Sequence, residues 1–279
     1  MNPTDAMLAR GGAQALPVSG FRAGQRFEAV DWIADEVPVA LEFNGISHAV
    51  MLATPLDLDD FALGFSLSEG ILANRHELYG VEEERSADGI TLKLDVASAA
   101  FARLKDRRRT MAGRTGCGLC GTESLSQVCR VLPALPLPLP LPTSAALTRQ
   151  AIARAMNESR ALQTVQQATG AVHAAAWCHA DGTVALLRED VGRHNALDKL
   201  IGALAATAID AARGFIAVTS RASFEMVQKT VLAGVPLLAA VSAPTTLAIG
   251  TAERAGLTLV GFARNDDLVV YAHADRLAL

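Results

Sequence analysis

The residues best suited to chemistry lie in the stretch Gly113-Arg114-Thr115-Gly116-Cys117-Gly118-Leu119-Cys120-Gly121, where two thiols stand three positions apart among glycines. Glycine gives the backbone conformations closed to bulkier residues, so such a loop can present its sulfurs at a surface. The thiolate is the reactive form of cysteine, and nearby positive charge favours it. Arg114 supplies some of that charge, and the run from Arg103 to Arg109 adds five positive charges and one negative. Taken alone, a run of this kind is a solvated face. Three chemistries use Cys-x-x-Cys. A zinc site requires two further ligands, yet there is no second Cys-x-x-Cys and no His-x-x-x-His, and Cys129 and Cys178 fall in apolar helix and strand patterns. A thioredoxin-like dithiol wants a preceding strand in a βαβ unit, whereas the segment here is basic and glycine-rich. A sulfur-carrying persulfide wants an exposed thiolate in positive surroundings. The residues alone leave redox and carrier chemistry both open.

A second group of candidates lies further on, in Arg188-Glu189-Asp190-Val191-Gly192-Arg193-His194-Asn195, Ser220-Arg221-Ala222-Ser223, Ser242-Ala243-Pro244-Thr245-Thr246 and Phe262-Ala263-Arg264-Asn265-Asp266-Asp267. Each follows a predicted strand, and three lead into predicted helices. Free backbone N–H groups at helix starts, together with arginines and hydroxyls, make a receptor for phosphate groups. Ordinary capped loops use the same residue types, but arginine recurs in three of the four segments, as Arg193, Arg221 and Arg264. Asp190 and His194 suit either acid–base work or hydrogen bonding at a helix start. His173 lies in a predicted strand and reads as a core or sheet-face histidine. A zinc deaminase has a related α/β layer, but its His-x-Glu and Pro-Cys-x-x-Cys are both absent here.

The elements that must position these residues follow from the patterning. Phe27 to Ile33, Val37 to Phe43 and Ile46 to Ala53 carry strand formers, and Asn44-Gly45 predicts a hairpin between the last two. A helix is expected over Leu58 to Leu72, and alternation predicts a strand over Thr91 to Val96. After the thiol loop, Leu125, Val128 and Leu132 recur at helical spacing behind Thr122, which places Cys120 just outside a helix N-terminus. Pro133 to Pro142 holds five prolines in ten positions, which excludes helix and sheet interior and predicts a polyproline II spacer. From Thr143 the pattern alternates: a helix over Leu147 to Ala161, strands over His173 to Cys178 and Val184 to Arg188, and a helix from Asn195 to Ala211. Strand Phe215 to Thr219, helix Phe224 to Ala233, strand Pro236 to Val241, helix Thr246 to Ala255 and strands Thr258 to Phe262 and Val269 to Ala272 complete it. Such alternation argues for an α/β layer with a largely parallel sheet. The expected organisation is a mobile lead-in over 1–22, an α+β domain over 23–132, the spacer over 133–142 and the α/β domain over 143–279.

Composition bounds the function. The 279 residues are 51% hydrophobic, with a net charge of −4 and a pI of about 5.9. The chain can bury a sizeable core, and it lacks the positive balance of a bulk nucleic-acid binder. No apolar span is long enough for a membrane helix, and the start shows no signal pattern. Four cysteines are no disulfide framework for this length, so a reducing cytoplasm is expected.

Taken together, several motifs resemble the FdhD family of formate dehydrogenase accessory sulfurtransferases. They are Gly116-Cys117-Gly118-Leu119-Cys120-Gly121, Thr169 to Ala175, Arg188 to Lys199, Ser220 to Lys229, Val241 to Thr245 and Ala252 to Phe262. The resemblance implies a sulfurtransferase that takes sulfur from a cysteine desulfurase as a persulfide. It passes the sulfur to the bis-molybdopterin guanine dinucleotide cofactor of formate dehydrogenase. It also implies a cytidine-deaminase-like fold for the C-terminal layer, a homodimer, and a site for the cofactor or for a guanine nucleotide. By motif position Cys117 bears the persulfide, Cys120 is its partner, and Phe262, Ala263, Arg264, Asn265, Asp266 and Asp267 form the cofactor-binding segment, with Arg193 and Arg221 in the same cleft. Asn265-Asp266-Asp267 departs from the glycine and basic residue frequent in that family.

Overall fold

The structure is a computed structural model that describes residues 11–109, 132–135 and 147–278. Cys117, Cys120, the helix expected after them and most of the proline-rich stretch lie outside these residues. The described chain is a mixed α/β fold of two packed parts.

The first part begins with a two-stranded ribbon, β1 (Ala13–Arg22) and β2 (Gln25–Ala34), paired antiparallel. The lead-in expected over 1–22 thus holds a strand over 13–22. Alternation betrays a strand only when one face is buried. Here both faces meet solvent, with Leu16 44% and Phe21 77% exposed. A four-stranded sheet follows in the order β4-β3-β6-β5, built from β3 (Val37–Phe43), β4 (Ile46–Ala53), β5 (Leu78–Ser86) and β6 (Gly89–Val96). Asn44 and Gly45 take φ of 45° and 81°, the conformation a two-residue hairpin turn requires. Strand β5 escapes sequence reading because Glu82-Glu83-Glu84 masks its pattern on an exposed edge.

Helix α1 (Leu58–Ser68) covers this sheet with Phe61, Leu63 and Phe65 buried in the same core. It ends four residues earlier than expected, at a turn where Gly70 has φ 65° and Ile71 N–H donates to the Ser66 carbonyl. Helix α2 (Ser98–Arg109) carries the basic run. Arg103 is not merely solvated: it donates to the Ile71 carbonyl at 3.1 Å and pairs with Glu77.

The second part is a six-stranded sheet in the order β13-β12-β11-β10-β8-β9. Its strands are β8 (His173–His179), β9 (Val184–Asp190), β10 (Gly214–Val218), β11 (Leu237–Ala240), β12 (Thr258–Arg264) and β13 (Asp267–Ala272). Only β10–β11 and β11–β12 pair in parallel; β8–β9, β8–β10 and β12–β13 are antiparallel. The sheet is therefore mixed rather than largely parallel, because the turns at Asp181-Gly182 and Asn265-Asp266 close hairpins. Helices α5 (Arg193–Ala206), α6 (Phe224–Leu232) and α7 (Thr246–Ala255) pack on one face of the sheet. Helix α3 (Arg149–Leu162) covers the other face, next to the short pair β7 (Leu147–Thr148) and β14 (Leu277–Ala278). The short helix α4 (Thr164–Thr169) was not foreseen. Within the expected spacer, Leu135 is buried, and its N–H donates to the Ala255 carbonyl at 2.9 Å.

The two parts meet where α1 crosses α5. A Cβ added at Gly64 would lie 1.7 Å from the Asp198 carbonyl oxygen, and one at Gly202 would lie 1.9 Å from that of Asp60. Gly64, which weakens the helix locally, is therefore a contact point. Backbone atoms cannot rotate aside, so Gly64→Ala and Gly202→Ala should each cost at least about 2–3 kcal/mol. Denaturant unfolding of the full chain is the check.

Candidate functional site

Strands β9, β10, β11 and β12 run in one direction, and β8 and β13 run opposite. Every segment picked out for anion binding therefore lies at the same sheet edge, and so does His173, the first residue of β8, which pairs with Asp190. His173 is half-buried at the edge, not in the core. Burial, then Arg193 and His194, hold its pKa below the usual histidine value.

Much of the longest motif builds this edge rather than doing chemistry. Lys199 and Asp190 form an ion pair of 2.7 Å whose side chains are both fully buried. Asp190 also accepts from the N–H groups of Thr54 (3.0 Å) and Gly192 (2.7 Å) and from Asn195 Nδ2 (3.1 Å). Asn195 donates in addition to the Leu52 carbonyl at 2.8 Å, and Lys199 to the Thr54 carbonyl at 2.8 Å. Asp190 is thus a structural group. A second buried cluster joins Lys229 to Asp198 (2.8 Å) and to Ser68 (2.9 Å). Burial opposes the Lys229 charge, but the Asp198 and Glu69 carboxylates outweigh it and hold the ammonium above the usual lysine range. Arg188 grips Asp60 at 2.7 Å from β9. Glu189 accepts from the first-turn N–H groups of α4, Val165 at 3.0 Å and Gln166 at 2.8 Å. Lys199, Asp198 and Lys229 carried a signal in the sequence: charges inside apolar helical stretches must be paired.

What remains free for a ligand lies between these anchors. Arg193 and His194 open α5, whose cap residue Gly192 has no side chain, and Ser223 caps α6 without a side-chain hydrogen bond. Arg193 Nε, His194 Nε2 and Ser223 Oγ are buried and have no hydrogen-bond partner, although buried polar atoms are normally satisfied. His194 Nε2 stands 2.8 Å from Glu225 Oε2 across the gap between the two helices. Sequence reading missed Glu225. Arg221 is exposed, two residues before Ser223. By contrast, α7 is already capped by Thr245, whose hydroxyl accepts from Ala248 N–H at 3.3 Å.

Residues 262–267 form a further part of the edge. Phe262 to Arg264 end β12 and Asp267 begins β13, so the expected loop is a tight hairpin. Phe262 has φ 52° and is 42% exposed, an uncommon conformation for a bulky residue. Ala263 is buried in the core beneath and contributes no polar group. Asn265 takes φ 54° in the turn. Arg149 of α3 donates to the Asp266 carbonyl at 2.8 Å, and Arg264 Nε donates to the Val241 carbonyl at 3.0 Å. The segments touch one another along the edge: Ala222 bridges Pro244, Thr245 N–H donates to the Ala222 carbonyl, and Phe262 N–H donates to the Ser242 carbonyl. Cys178, the cysteine within the described residues, is buried in the sheet, and burial pushes its thiol well above the ordinary cysteine range. No helix among the described residues is long and apolar enough to cross a membrane.

The fold is a mixed α/β one whose candidate segments gather at the carboxyl ends of the strands of its larger sheet. The chain belongs to the FdhD/NarQ family, which it matches over residues 34–278. It is 68% identical over 277 residues to the sulfur carrier protein FdhD of Variovorax paradoxus (strain S110), covering 99% of this chain and 98% of that one. It is 57% identical over 260 residues to the protein of the same name from Cupriavidus necator, covering 93% and 88%. Its fold matches the crystal structure of a candidate formate dehydrogenase accessory protein from Desulfotalea psychrophila with a TM-score of 0.73, at 21% identity over 95% of this chain and 99% of that one.

Two substitutions separate the anchors from the ligand groups. Lys199→Met leaves a buried carboxylate unpaired and should cost about 3–5 kcal/mol. Arg221→Ala, on an exposed side chain, should stay within about 0.5 kcal/mol of the parent. Urea unfolding of both variants reads the difference.

Proposed function

We infer that this chain is a sulfur carrier that serves the maturation of formate dehydrogenase. The observation that carries this reading is the full-length likeness to proteins named sulfur carrier protein FdhD, joined to a Cys-x-x-Cys among glycines and arginines. Cys117 is the carrier. Its thiolate attacks the terminal sulfur of a persulfide on a cysteine desulfurase, the desulfurase cysteine leaves as a thiolate, and Cys117 becomes a persulfide. Cys120 stands three positions away, where attack on the Cys117 sulfur expels hydrosulfide and closes a disulfide that a cellular dithiol then reduces. The hydrosulfide replaces an oxygen ligand of molybdenum, which departs as water. Cys178 takes no part, because a buried thiol with a raised pKa supplies little thiolate.

The receiving substrate is the bis-molybdopterin guanine dinucleotide cofactor, and the edge of the large sheet suits it. Pyrophosphate oxygens fit the crevice of Arg193, Arg221 and Ser223, where donors lack partners. The hairpin suits the base instead. Asp266 and Asp267 are exposed acceptors for guanine N–H groups, and the exposed Phe262 ring offers a stacking face. The chain works in the reducing cytoplasm as a homodimer, with no nucleic acid or membrane as partner.

Incubation with a cysteine desulfurase and cysteine should add one sulfur to the tryptic peptide holding Cys117. Cys117→Ala should abolish the gain, and Cys120→Ala should keep it. Mass spectrometry without reductant reads the result; a disulfide with no sulfur gain in the parent protein would assign redox chemistry instead.

A further inference from the structure

Helices α5 and α6 both begin at the candidate edge, and a groove lies where they and α1 end. It has a volume of about 430 Å³, with Leu72, Ile201, Leu204, Ile209 and Leu232 in its wall. Its two hydroxyl-bearing residues offer little to a polar ligand. Ser68 donates to Asp198 at 2.6 Å and accepts from Lys229 at 2.9 Å, and Thr207 donates to the Leu204 carbonyl at 2.8 Å. Leu232 is 37% exposed. Such a groove suits the apolar face of a helix.

The chain holds a stripe of that kind. Leu125, Val128, Cys129 and Leu132 stand at positions i, i+3, i+4 and i+7, the spacing by which an amphipathic helix enters a groove. The 22 residues 110–131 separate α2 from Leu132, and both flanks are tied to the groove's own walls. Arg103 of α2 donates to the carbonyl of Ile71, one residue before Leu72. Leu132 packs against the core cluster that contains Ile201 and Leu204, as do Ile209 and Ala233. The Leu-Pro repeat beyond Pro133 is a poorer occupant, since proline cannot continue a helix and the Leu135 N–H is committed to the Ala255 carbonyl.

We propose that residues 122–132 dock in this groove as a helix, with Leu125, Val128 and Cys129 turned inward beside Leu72, Leu204 and Leu232. The consequence falls on the thiol pair. Cys120 stands two positions before Thr122, so the docked helix tethers Cys117 and Cys120 at the mouth of the groove. The docking stands without the sulfur-carrier reading; only this consequence rests on it.

Cys129 is the native reporter, because Cys178 is buried and its thiol is poorly ionised. The full chain carrying Cys117→Ser, Cys120→Ser and Leu232→Cys is oxidised at high dilution with copper phenanthroline. Peptide mass spectrometry should find Cys129 joined to the Leu232→Cys thiol within one chain. Leu247→Cys, at a side chain 44% exposed in the first turn of α7, should not join it in the same background. With the native thiols in place, iodoacetamide should modify Cys129 more slowly than in the urea-unfolded chain. Leu125→Asp and Leu232→Asp should each speed that reaction roughly tenfold or more in proteins that melt like the parent, and Leu247→Asp should leave it unchanged. A disulfide between two chains assigns the groove to a second copy and overturns the proposal. Absence of the disulfide, equal joining by both introduced thiols, or modification of Cys129 as fast in the parent as in the unfolded chain overturns it as well. The readout is Cys129, so a parent chain that gains no sulfur on Cys117 overturns the carrier reading alone.

Discussion

The buried ion pair between Asp190 and Lys199 is the constraint on which the site depends. Removing two charges from water is costly, and the attraction offsets that cost only when the remaining hydrogen-bonding capacity is also satisfied. Here it is satisfied by elements from both parts of the chain. Thr54, at the junction between β4 and α1, gives its N–H to Asp190 and its carbonyl to Lys199, and its hydroxyl accepts from Val191 N–H at 3.1 Å. Asn195 ties the same carboxylate to the Leu52 carbonyl. Gly192, Arg193 and His194 are thus suspended between two pinned residues, Asp190 and Asn195. That suspension fixes the start of α5, where His194 Nε2 stands 2.8 Å from Glu225 Oε2.

The crossing of α1 and α5 serves the same end from behind. Glycines on both helices let their backbones touch, and the Lys229–Asp198–Ser68 cluster closes the side of that contact. The start of α5 is therefore fixed relative to the start of α6. A gap between two helix starts, spanned by His194 and Glu225, keeps its width only if both helices are held. The hairpin at residues 262–267 is fixed separately by Arg149 from the opposite face of the sheet. It is also tied to the neighbouring loop, through Phe262 N–H to the Ser242 carbonyl and Arg264 Nε to the Val241 carbonyl.

The sequence showed much of this fold because its strands and helices repeat at ordinary periods. The Asn44-Gly45 hairpin, the start of α7 at Thr246 and the alternating second half were all legible. Three things were not. Strand β1 is almost wholly exposed, so it has no alternation to read, although its partner β2 was expected over Phe27 to Ile33. The strand directions of the large sheet depend on which neighbours pair, and the Asp181-Gly182 turn was visible while its consequence for pairing was not. The functions of the motif residues were also hidden. Asp190 looked as eligible for chemistry as His194, and only burial and partners separate a structural carboxylate from a part-exposed side chain at the gap between two helix starts. Phe262 to Asp267 read as a loop because Asn265-Asp266-Asp267 is turn-forming, although the flanking strands run up to its two-residue turn. The family resemblance supplied what periodicity could not, the role expected of Cys117.

The central claim is that sulfur held on Cys117 passes to the molybdenum cofactor received at the sheet edge. An isotope chase tests it most directly. The chain is loaded with ³⁴S-cysteine through a desulfurase, freed of small molecules, and mixed with formate dehydrogenase whose cofactor lacks the sulfido ligand. The account predicts loss of ³⁴S from Cys117, its appearance in the enzyme's cofactor fraction, and a matching rise in formate oxidation. Activation with no label in the cofactor, or equal activation by the Cys117→Ala chain, would contradict it.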